Sequence, residues 1–477
     1  MNILTIITKN VKFNLNQNIR KYNLNGLFNG NSLNDFNNYL SLIKVIDDTS
    51  SSFSVDLYKS FLIQIDDAFY NSDYRKKYCE IINSPERSII TFYGEVNFNR
   101  RRYFDKIQKK EYFFVDNTLM LDKYSRFDPF VCAKICELSS RHSYAEAGRI
   151  VSELIGRKFK LNDDYSKCII NRATARNIVH RFKISEIQYK QRDDVSILYV
   201  MLDEKFVPSQ FNNKKDHMIK AAVVFENVID EYKAHPKCGK PRLRLTGKKV
   251  FASIENDLKE QVLDYIYYTY NTDNIKEIVF MGDCANWIKS FKKDFKYHKD
   301  LVITFGIDGF HYHQAIQHIL TNKYKDNLTD IFLDAIKQND KKHFITLCNV
   351  IIEFEPHRSE TILDKQNYIL NNWDYIQNYY YKVFVNCSME SHISHCFADI
   401  FTARPRAYSK RGLKQLLKLR LLKVNGEDIQ QIYFNGLLKK TKNVTILDTS
   451  NIESLNSTTP RPYLNLSRLY ASLNYIT

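Results

Sequence analysis

Two aspartates each close an apolar stretch of the chain, a pattern typical of metal-dependent phosphoryl transfer. Asp203 follows the run ILYVML and Asp283 follows IVFMG. Such runs predict buried strands whose last residue emerges at a sheet edge. If the two strands are neighbours, both carboxylates can bind the same divalent cation.

A third carboxylate is expected, because hard divalent cations are held by several oxygen ligands together with water and substrate phosphate. The candidate is Glu390, on the helix predicted after a long aromatic-rich helical stretch. With two Mg²⁺ or Mn²⁺ ions, Asp203 would bridge the ions while Asp283 and Glu390 flank them. Such ions activate a water or a 3′-hydroxyl and stabilise the departing oxygen. A single acid at a strand end is usually a solvated terminus, so the hypothesis depends on all three.

The charge balance favours a polyanionic partner. Lys and Arg number 70 against 54 Asp and Glu, which gives a formal charge of +16 and a pI near 9.1. Nucleic acid is the first candidate, and an anionic membrane surface is the alternative.

Three basic clusters supply candidate contacts to DNA phosphates. The first lies beside Tyr103 on a predicted strand or turn, the second on the last helix of a helix-turn-helix-sized block, and the third after the helix of Glu390. A solvated strand edge is the alternative for the first cluster, and an ordinary helical hairpin for the second. The residues are Arg100, Arg101 and Arg102; Arg172 and Arg176; and Arg404, Arg406, Lys410 and Arg411.

Cysteine usage and hydropathy predict a cytoplasmic protein, associated with the nucleoid when it is bound to DNA. The nine cysteines occur singly without a CxxC pair, which predicts reduced thiols and argues against a structural zinc site. No run approaches the roughly 18 to 20 apolar residues that a membrane helix needs. The first residues are too polar for a signal peptide.

The order of predicted elements indicates a mixed α/β chain of several domains. From Val195 to Gly306 the patterns give three antiparallel-type strand runs, a helix, a strand, a helix and a further strand. This is the element order of a ribonuclease H-like domain, here interrupted by an all-helical insertion. The predicted boundaries are 1–87 for an N-terminal helical region, 88–128 for a small β unit, 129–190 for a helix-turn-helix-like DNA-binding region, 191–308 and 386–425 for the catalytic core, 309–385 for the insertion, and 426–477 for a C-terminal tail.

Several stretches of the sequence carry a resemblance to a known family. They are TFYGEV with RRRYFD, LYVMLDEKFVPSQ, MGDCANWIK, IDGFHYHQAI and CSMESHISHCFADIFTARPRAYSKRGLKQLLKLR. The last is the most specific, because it is long and unusual. From about Ser88 to Arg420 the chain resembles the ISLre-two group of bacterial insertion-sequence transposases, filed as an uncharacterised protein family and related to the Mutator-like transposases.

The resemblance implies an acidic-triad transposase whose ribonuclease H-like core is split between the second Asp and the Glu. Position by position it places the triad at Asp203, Asp283 and Glu390, in agreement with the argument from strand ends. It implies two Mg²⁺ or Mn²⁺ ions as cofactors. The implied partners are terminal inverted repeats, target DNA and further copies of the chain assembled on that DNA.

The Mutator-like group also shows an acid or cysteine before a histidine with the spacing that Asp308 and His311 reproduce. The resemblance implies a supporting or DNA-positioning role for this pair. The alternative is a helix cap at Asp308 and an ordinary satisfied histidine at His311. His392 and His395 are further supporting candidates, which could contact DNA or tune Glu390, although their spacing is weak evidence for a metal site.

Two features depart from the family pattern without removing a predicted metal ligand. Cys284 and Asn286 stand where glycine and proline are usual, and Glu204 stands where glycine is common. The functional hypothesis is a DNA transposase in which water attacks first and the freed 3′-hydroxyl then attacks target DNA. The alternatives are a nuclease or resolvase without strand transfer, and a non-catalytic DNA-binding protein derived from a transposase.

Overall fold

The computed structural model describes the greater part of the chain and bears out the prediction of a mixed α/β protein. Of Glu390 it describes the backbone alone. The described residues are 36–156, 169–184, 189, 191–210, 217–232, 242–283, 285–291, 301–321, 324–381, 389–402 and 407–442.

The helices and strands are numbered here in chain order. They are α1 (Phe36–Asn71), α2 (Asp73–Tyr78), β1 (Cys79–Asn83), β2 (Glu86–Thr91), β3 (Gly94–Asn99), β4 (Arg102–Asp105), β5 (Lys110–Phe113), α3 (Phe114–Thr118), α4 (Pro129–Ser139), α5 (Tyr144–Gly156), α6 (Arg172–Arg181), β6 (Ile197–Val207), β7 (His217–Phe225), β8 (Asn227–Tyr232), β9 (Arg242–Thr246), β10 (Lys249–Ser253), α7 (Leu258–Thr269), β11 (Glu277–Gly282), α8 (Asn286–Lys289), β12 (Val302–Ile307), α9 (Gly309–Ile319), α10 (Lys325–Lys337), α11 (Lys341–Phe354), α12 (Ser359–Asn371), α13 (Trp373–Tyr381), α14 (Met389–Ile393), α15 (Asp399–Phe401), α16 (Lys410–Val424) and α17 (Ile429–Lys442).

The N-terminal unit combines the long helix α1 with two small antiparallel sheets. Strands β2 and β3 form a hairpin, while β4 lies between β1 and β5. Leu62 of α1 packs with Ile89 and Phe98 of the hairpin in a common apolar cluster. The β structure begins at Cys79, earlier than the predicted boundary at residue 88, because β1 pairs with β4 as an additional edge strand of its sheet.

Helices α4, α5 and α6 form a bundle that α16 and α17 complete. Val131, Val151 and Val179 are buried together with Leu419 of α16. The predicted tail from residue 426 therefore needs correction, since residues 429–442 form helix α17 and Ile429 is buried in this same cluster. The sequence alone indicates a peripheral segment here, because α4, the helix against which α17 packs, is distant along the chain.

Asp128 caps α4 from a fully buried position. Its side chain accepts a hydrogen bond from the backbone N–H of Val131 at 2.7 Å. Burial raises the pKa of this carboxyl to about 7, although the hydrogen bonds from Val131 and Phe130 oppose the shift. The folded chain therefore holds a proton that the unfolded chain releases near pH 4.

We expect Asp128→Asn to flatten the pH dependence of stability. In the wild type this group stabilises the fold most at low pH, and the contribution is lost as the pH rises from about 4 to about 7. Asparagine keeps an acceptor for Val131 and cannot ionise, so the variant should gain stability over the wild type by up to a few kcal/mol above about pH 7. Urea unfolding across the pH range measures this. Asp340→Asn, at the exposed cap of α11, controls for the loss of a capping carboxylate, and parallel profiles for Asp128→Asn and wild type would contradict the prediction.

A five-stranded sheet of order β10-β7-β6-β11-β12 forms the centre of the chain. The pairs β6–β7 and β7–β10 are antiparallel, whereas β11 runs parallel to both β6 and β12. The third strand run predicted from sequence is broken at Gly247, whose φ of +59° turns the chain. Its two parts become β9, which pairs with β8 in a side hairpin, and β10.

Alternating apolar residues give the sheet two buried faces. Tyr199 and Met201 of β6 lie on the face that α14, α15 and α16 cover, called here the α14 face. Leu198 and Leu202 lie on the opposite face, which α7 and α8 cover and which is called the α7 face.

Helices α9 to α13 pack around a separate apolar core that follows β12 directly. Trp373 and Phe344 are fully buried there in edge-to-face contact. The helices are joined to the sheet by Asn378, whose side-chain amide donates to the carbonyl of Phe305 on β12 at 2.8 Å. Across the described ranges, no helix combines the length and the apolar character that crossing a lipid bilayer requires.

Candidate active site

The pairing of β6 with β11 brings Asp203 and Asp283 to the same level of the sheet. Met201 pairs with Met281 in this parallel ladder, and each aspartate lies two residues further along its own chain. Both strands run in the same direction, so the two carboxylates lie at the same level, where β11 ends. The predicted strand end at Asp203 is wrong, because β6 continues to Val207 by pairing with β7. The structure thus places side by side two acids that the sequence separates by a helix and several strands.

Both aspartates belong by alternation to the α14 face. Met201 and Met281 lie in the same apolar cluster as Met389 and Ile393 of α14. Because successive side chains on a strand point to opposite faces, Asp203 shares the side of Met201, and Glu204 lies on the α7 face. Asp203, and not Glu204, therefore faces the helix that carries Glu390.

Close approach of the two backbones fixes this register immediately before the acids. A Cβ atom added at Gly282 would lie 2.6 Å from the carbonyl oxygen of Leu202 and 2.8 Å from Cδ1 of Ile288. Only glycine lets β11 lie this close to β6, so Gly282 sets the position from which Asp283 projects.

Backbone hydrogen bonds orient both carboxylates. The N–H of Glu204 donates to Oδ1 of Asp203 at 2.7 Å, and the N–H of Ala285 donates to Oδ1 of Asp283 at 2.9 Å. Both side chains are partly buried. Each of these hydrogen bonds engages one oxygen, Oδ1, of its carboxylate.

The helical insertion also contacts this edge, through a residue that sequence reasoning missed. The hydroxyl of Tyr368 on α12 lies 3.5 Å from the backbone carbonyl oxygen of Asp283. Lys289 of α8 donates to Asn372 at 3.3 Å beside it. A tyrosine in an aromatic-rich helical stretch gives no signal of this contact in the sequence.

The third predicted ligand, Glu390, lies in α14 on the correct face of the sheet. Its side chain is outside the described part of the structure. Among the side chains that are described, no group of three or more His, Cys, Asp or Glu could hold a metal ion. Asp203 and Asp283 are described carboxylates at this edge that suit a hard cation and do not cap a helix.

Asp308 and His311 begin α9 at the same edge. Ile307 pairs with Gly282, and the N–H of Asp308 donates to the carbonyl of Gly282 at 2.9 Å. The buried Asp308 side chain caps α9 by accepting from the N–H of Phe310 at 3.0 Å. Asp308 is therefore a helix cap, as the alternative interpretation expected. His311 is partly buried in the first turn of the helix.

His392 and His395 lie on different parts of the Glu390 helix. Burial, with Lys248 and His395 nearby, lowers the pKa of His392 to about 4, so this imidazole is neutral at physiological pH. Its Nδ1 lies 3.3 Å from Nζ of Lys248. His395 is exposed in a π-helical turn, Ser394–Ala398, whose carbonyls at His395 and Cys396 accept from Arg420.

The first basic cluster is engaged with carboxylates inside the N-terminal unit. Arg100 is buried and pairs with Asp116 at 3.0 Å. Arg101 pairs with Asp66 at 3.0 Å and with Asp67 at 2.7 Å. Arg102 pairs with Glu111. These charges are compensated locally, which makes the cluster a poor phosphate-binding surface.

The other basic residues behave differently. Arg172 and Arg176 on α6 and Lys410 and Arg411 on α16 are exposed, and none of the four pairs with a carboxylate among the described residues. Burial, together with the positive charges of Arg411 and Arg176, lowers the pKa of His180, so the two helix ends lie close together. Arg404 and Arg406 lie outside the described residues. The surface formed by the four exposed residues, Arg172, Arg176, Lys410 and Arg411, is called here the α6–α16 basic surface.

Comparison with known proteins finds relatives along almost the whole chain. The model of an uncharacterised protein family, UPF0236, matches residues 35–436. Two UPF0236 proteins of Caldanaerobacter subterraneus subsp. tengcongensis are 25% identical over 448 residues, 90% of this chain and 90% and 85% of their own lengths. A third from that organism is 23% identical over 413 residues, 85% of this chain and 81% of its own length, and its name joins eleven locus designations.

Proposed function

This chain belongs to the uncharacterised protein family UPF0236, and from that premise and the geometry of its central sheet we propose that it is the DNA transposase of an insertion sequence. One observation carries the proposal. Asp203 lies within β6 at the level at which the parallel strand β11 ends, and Asp283 directly follows β11, on the face covered by the helix of Glu390.

The order of the elements supports a ribonuclease H-like core. From β6 to β12 the chain has three antiparallel strands, a helix, a strand, a helix and a further strand, with β8 and β9 added as a side hairpin. Helices α9 to α13 then interrupt the core before α14 returns to the sheet. This is the arrangement that the resemblance to acidic-triad transposases implies.

The name of one relative supports mobility of the gene. That name covers eleven loci of a single organism, and copying of an element to new sites produces such multiplicity. We extend this property to the present chain as part of the proposal.

The roles of the residues follow from their positions. Asp203, Asp283 and Glu390 would hold Mg²⁺ or Mn²⁺, which supplies activation of the attacking hydroxyl and stabilisation of the departing oxygen. The N–H groups of Glu204 and Ala285 keep the two aspartate side chains turned toward the shared edge. The α6–α16 basic surface binds the phosphates of the duplex and orients it against the sheet.

A strand-transfer assay tests the proposal. Labelled DNA fragments from either side of the coding sequence are incubated with the full chain, a supercoiled target plasmid, and Mg²⁺ or Mn²⁺. The expected products are fragment ends with a 3′-hydroxyl, followed by their covalent joining to the plasmid. Cleavage without joining would indicate a nuclease or resolvase, and the absence of cleavage with both metals would overturn the proposal.

Charge reversal on the basic surface should weaken DNA binding uniformly across sequences. For Arg176→Glu combined with Arg411→Glu, we expect the slope of log affinity against log salt to fall by roughly 2, since each arginine that no longer neutralises a phosphate lowers the slope by about one. Fluorescence anisotropy of a labelled duplex at several salt concentrations measures the slope.

Arg101→Gln is the matched control for this prediction. Because Arg101 neutralises the buried Asp66, the control should lower the unfolding temperature and leave the salt slope unchanged. An unchanged slope in the double variant, or an equally reduced slope in Arg101→Gln, would contradict the assignment of the surface.

A further inference from the structure

A half-exposed phenylalanine stands beside the aspartate edge. Phe310 lies in the first turn of α9 and is 50% exposed, whereas Tyr312, Ala315 and Ile316 of the same helix are buried in the insertion core. Its ring is the large apolar side chain on the outward side of this turn. An isolated exposed aromatic is common on protein surfaces, so its position decides whether it has a function.

That position is fixed with respect to Asp283. Ile307 pairs with Gly282 at the end of the sheet, and Phe310 follows three residues later. The N–H of Phe310 donates to Asp308, whose own N–H donates to Gly282. One hydrogen bond to the Asp308 side chain and one between backbones therefore hold the Phe310 backbone at the edge from which Asp283 projects. His311 contacts the ring edge to face, with centroids 5.6 Å apart.

A second exposed phenylalanine lies beyond Asp203. Strand β6 continues past the level at which β11 ends, and Phe206 on this extension is 57% exposed and pairs with Met218 of β7. At about 3.3 Å per residue, Phe206 lies roughly 10 Å along the strand from Asp203. By alternation, however, Phe206 shares the α7 face with Leu202 and Glu204, so it lies on the side of the sheet opposite Asp203. Phe310 is therefore the candidate for a ring that acts beside the acids.

The chemistry of this ring selects the form of DNA that fits. In an intact duplex the base faces are covered by their stacked neighbours, so a protein ring can stack only on an unpaired or extruded base. Resting on the proposed function, we propose that Phe310 stacks on an unpaired nucleobase next to the phosphate held at Asp203 and Asp283. The substrate at this edge is then a DNA end whose terminal bases are unpaired.

A binding experiment without divalent metal tests this inference separately from cleavage. The probes are a duplex with a short single-stranded 3′ tail that contains 2-aminopurine, and the same duplex with a blunt end. The full chain should bind the tailed duplex more tightly and quench the 2-aminopurine by stacking. Phe310→Leu keeps an apolar side chain without a π face and should lose roughly 5- to 100-fold in affinity for the tailed probe alone. Phe310→Trp should retain both the preference and the quenching.

Preference and quenching that persist in Phe310→Leu would overturn the inference. The result is separable from the proposed function by comparison with the cleavage assay. If the wild type cleaves and joins DNA but Phe310→Leu behaves like the wild type with both probes, the stacking inference fails alone. If the stacking signals are present but the wild type cleaves nothing with either metal, the transposase proposal fails alone.

Discussion

Asp203→Asn is expected to lower metal-dependent DNA cleavage on the order of 10³-fold while DNA binding persists, since several kcal/mol of transition-state stabilisation depend on the metal that this carboxylate would hold. Asparagine keeps the oxygen that accepts from the N–H of Glu204, so the fold at this position is retained. Removal of a negative charge near the phosphates should leave binding equal or slightly tighter. Cleavage rates and anisotropy titrations on the same preparation measure the two effects.

Glu204→Gln is the matched control, because it makes the same chemical change one residue along the same strand. Glu204 lies on the α7 face, opposite Lys220 of β7, and its replacement should change cleavage by no more than a few-fold. Wild-type cleavage by Asp203→Asn would remove Asp203 from the site. Equal inactivity of the two variants would contradict the assignment of the metal site to the α14 face, on which Asp203 lies.

Gly282→Ala should impair both stability and cleavage. The added Cβ would lie 2.6 Å from the carbonyl oxygen of Leu202 and 2.8 Å from Cδ1 of the buried Ile288 side chain, so the backbone of β6 on one side and a packed side chain on the other leave little room for relaxation. We expect a decrease of about 1 to 3 kcal/mol in the free energy of unfolding. A shift of β11 by roughly 1 Å would also cost about 10²-fold in cleavage, because Asp283 leaves its position. Urea titration, and cleavage assays under conditions where the variant stays folded, measure the two effects.

Gly309→Ala provides the comparison at the next strand end. A Cβ there would lie 3.4 Å from the hydroxyl of Tyr379, which is an ordinary contact, and alanine suits the first turn of α9. This variant should differ from the wild type by less than about 1 kcal/mol. Wild-type stability and cleavage in Gly282→Ala would show that the two strands tolerate separation and that their register does not position the acids.

Local pattern predicted much of the core. Continuous apolar runs predicted β6, β7 and β11, and the acids that follow two of these runs indicated Asp203 and Asp283, because both signals depend on residues that are neighbours along the chain. Strand β6 nevertheless continues past Asp203 to Val207. The helix over Leu258–Thr269 followed in the same way. The third strand run was predicted as one strand, whereas the structure divides it into β9 and β10. The division depends on a turn at one residue, Gly247, which adopts a positive φ.

The basic residues show where pattern alone fails. Arg101 and Arg176 are equally cationic in sequence, yet Arg101 is paired with Asp66 and Asp67, while Arg176 lies exposed beside Arg411. Which carboxylate meets which arginine depends on the packing of distant segments. The charge count therefore predicts a polyanionic partner, whereas only the tertiary structure shows which arginines are paired with carboxylates and which lie exposed.

The sequence by itself determined the strands, their inward and outward faces, and the acids that follow their apolar runs, because these depend on residues that are neighbours along the chain. Only the tertiary structure decided that β6 and β11 lie side by side with Met201 level with Met281, that Glu204 turns away from Glu390's helix, and that Phe310 and Tyr368 stand at the same edge. These relations join residues far apart in sequence, and their geometry is set by backbone pairing and close packing across the sheet, which no local periodicity encodes.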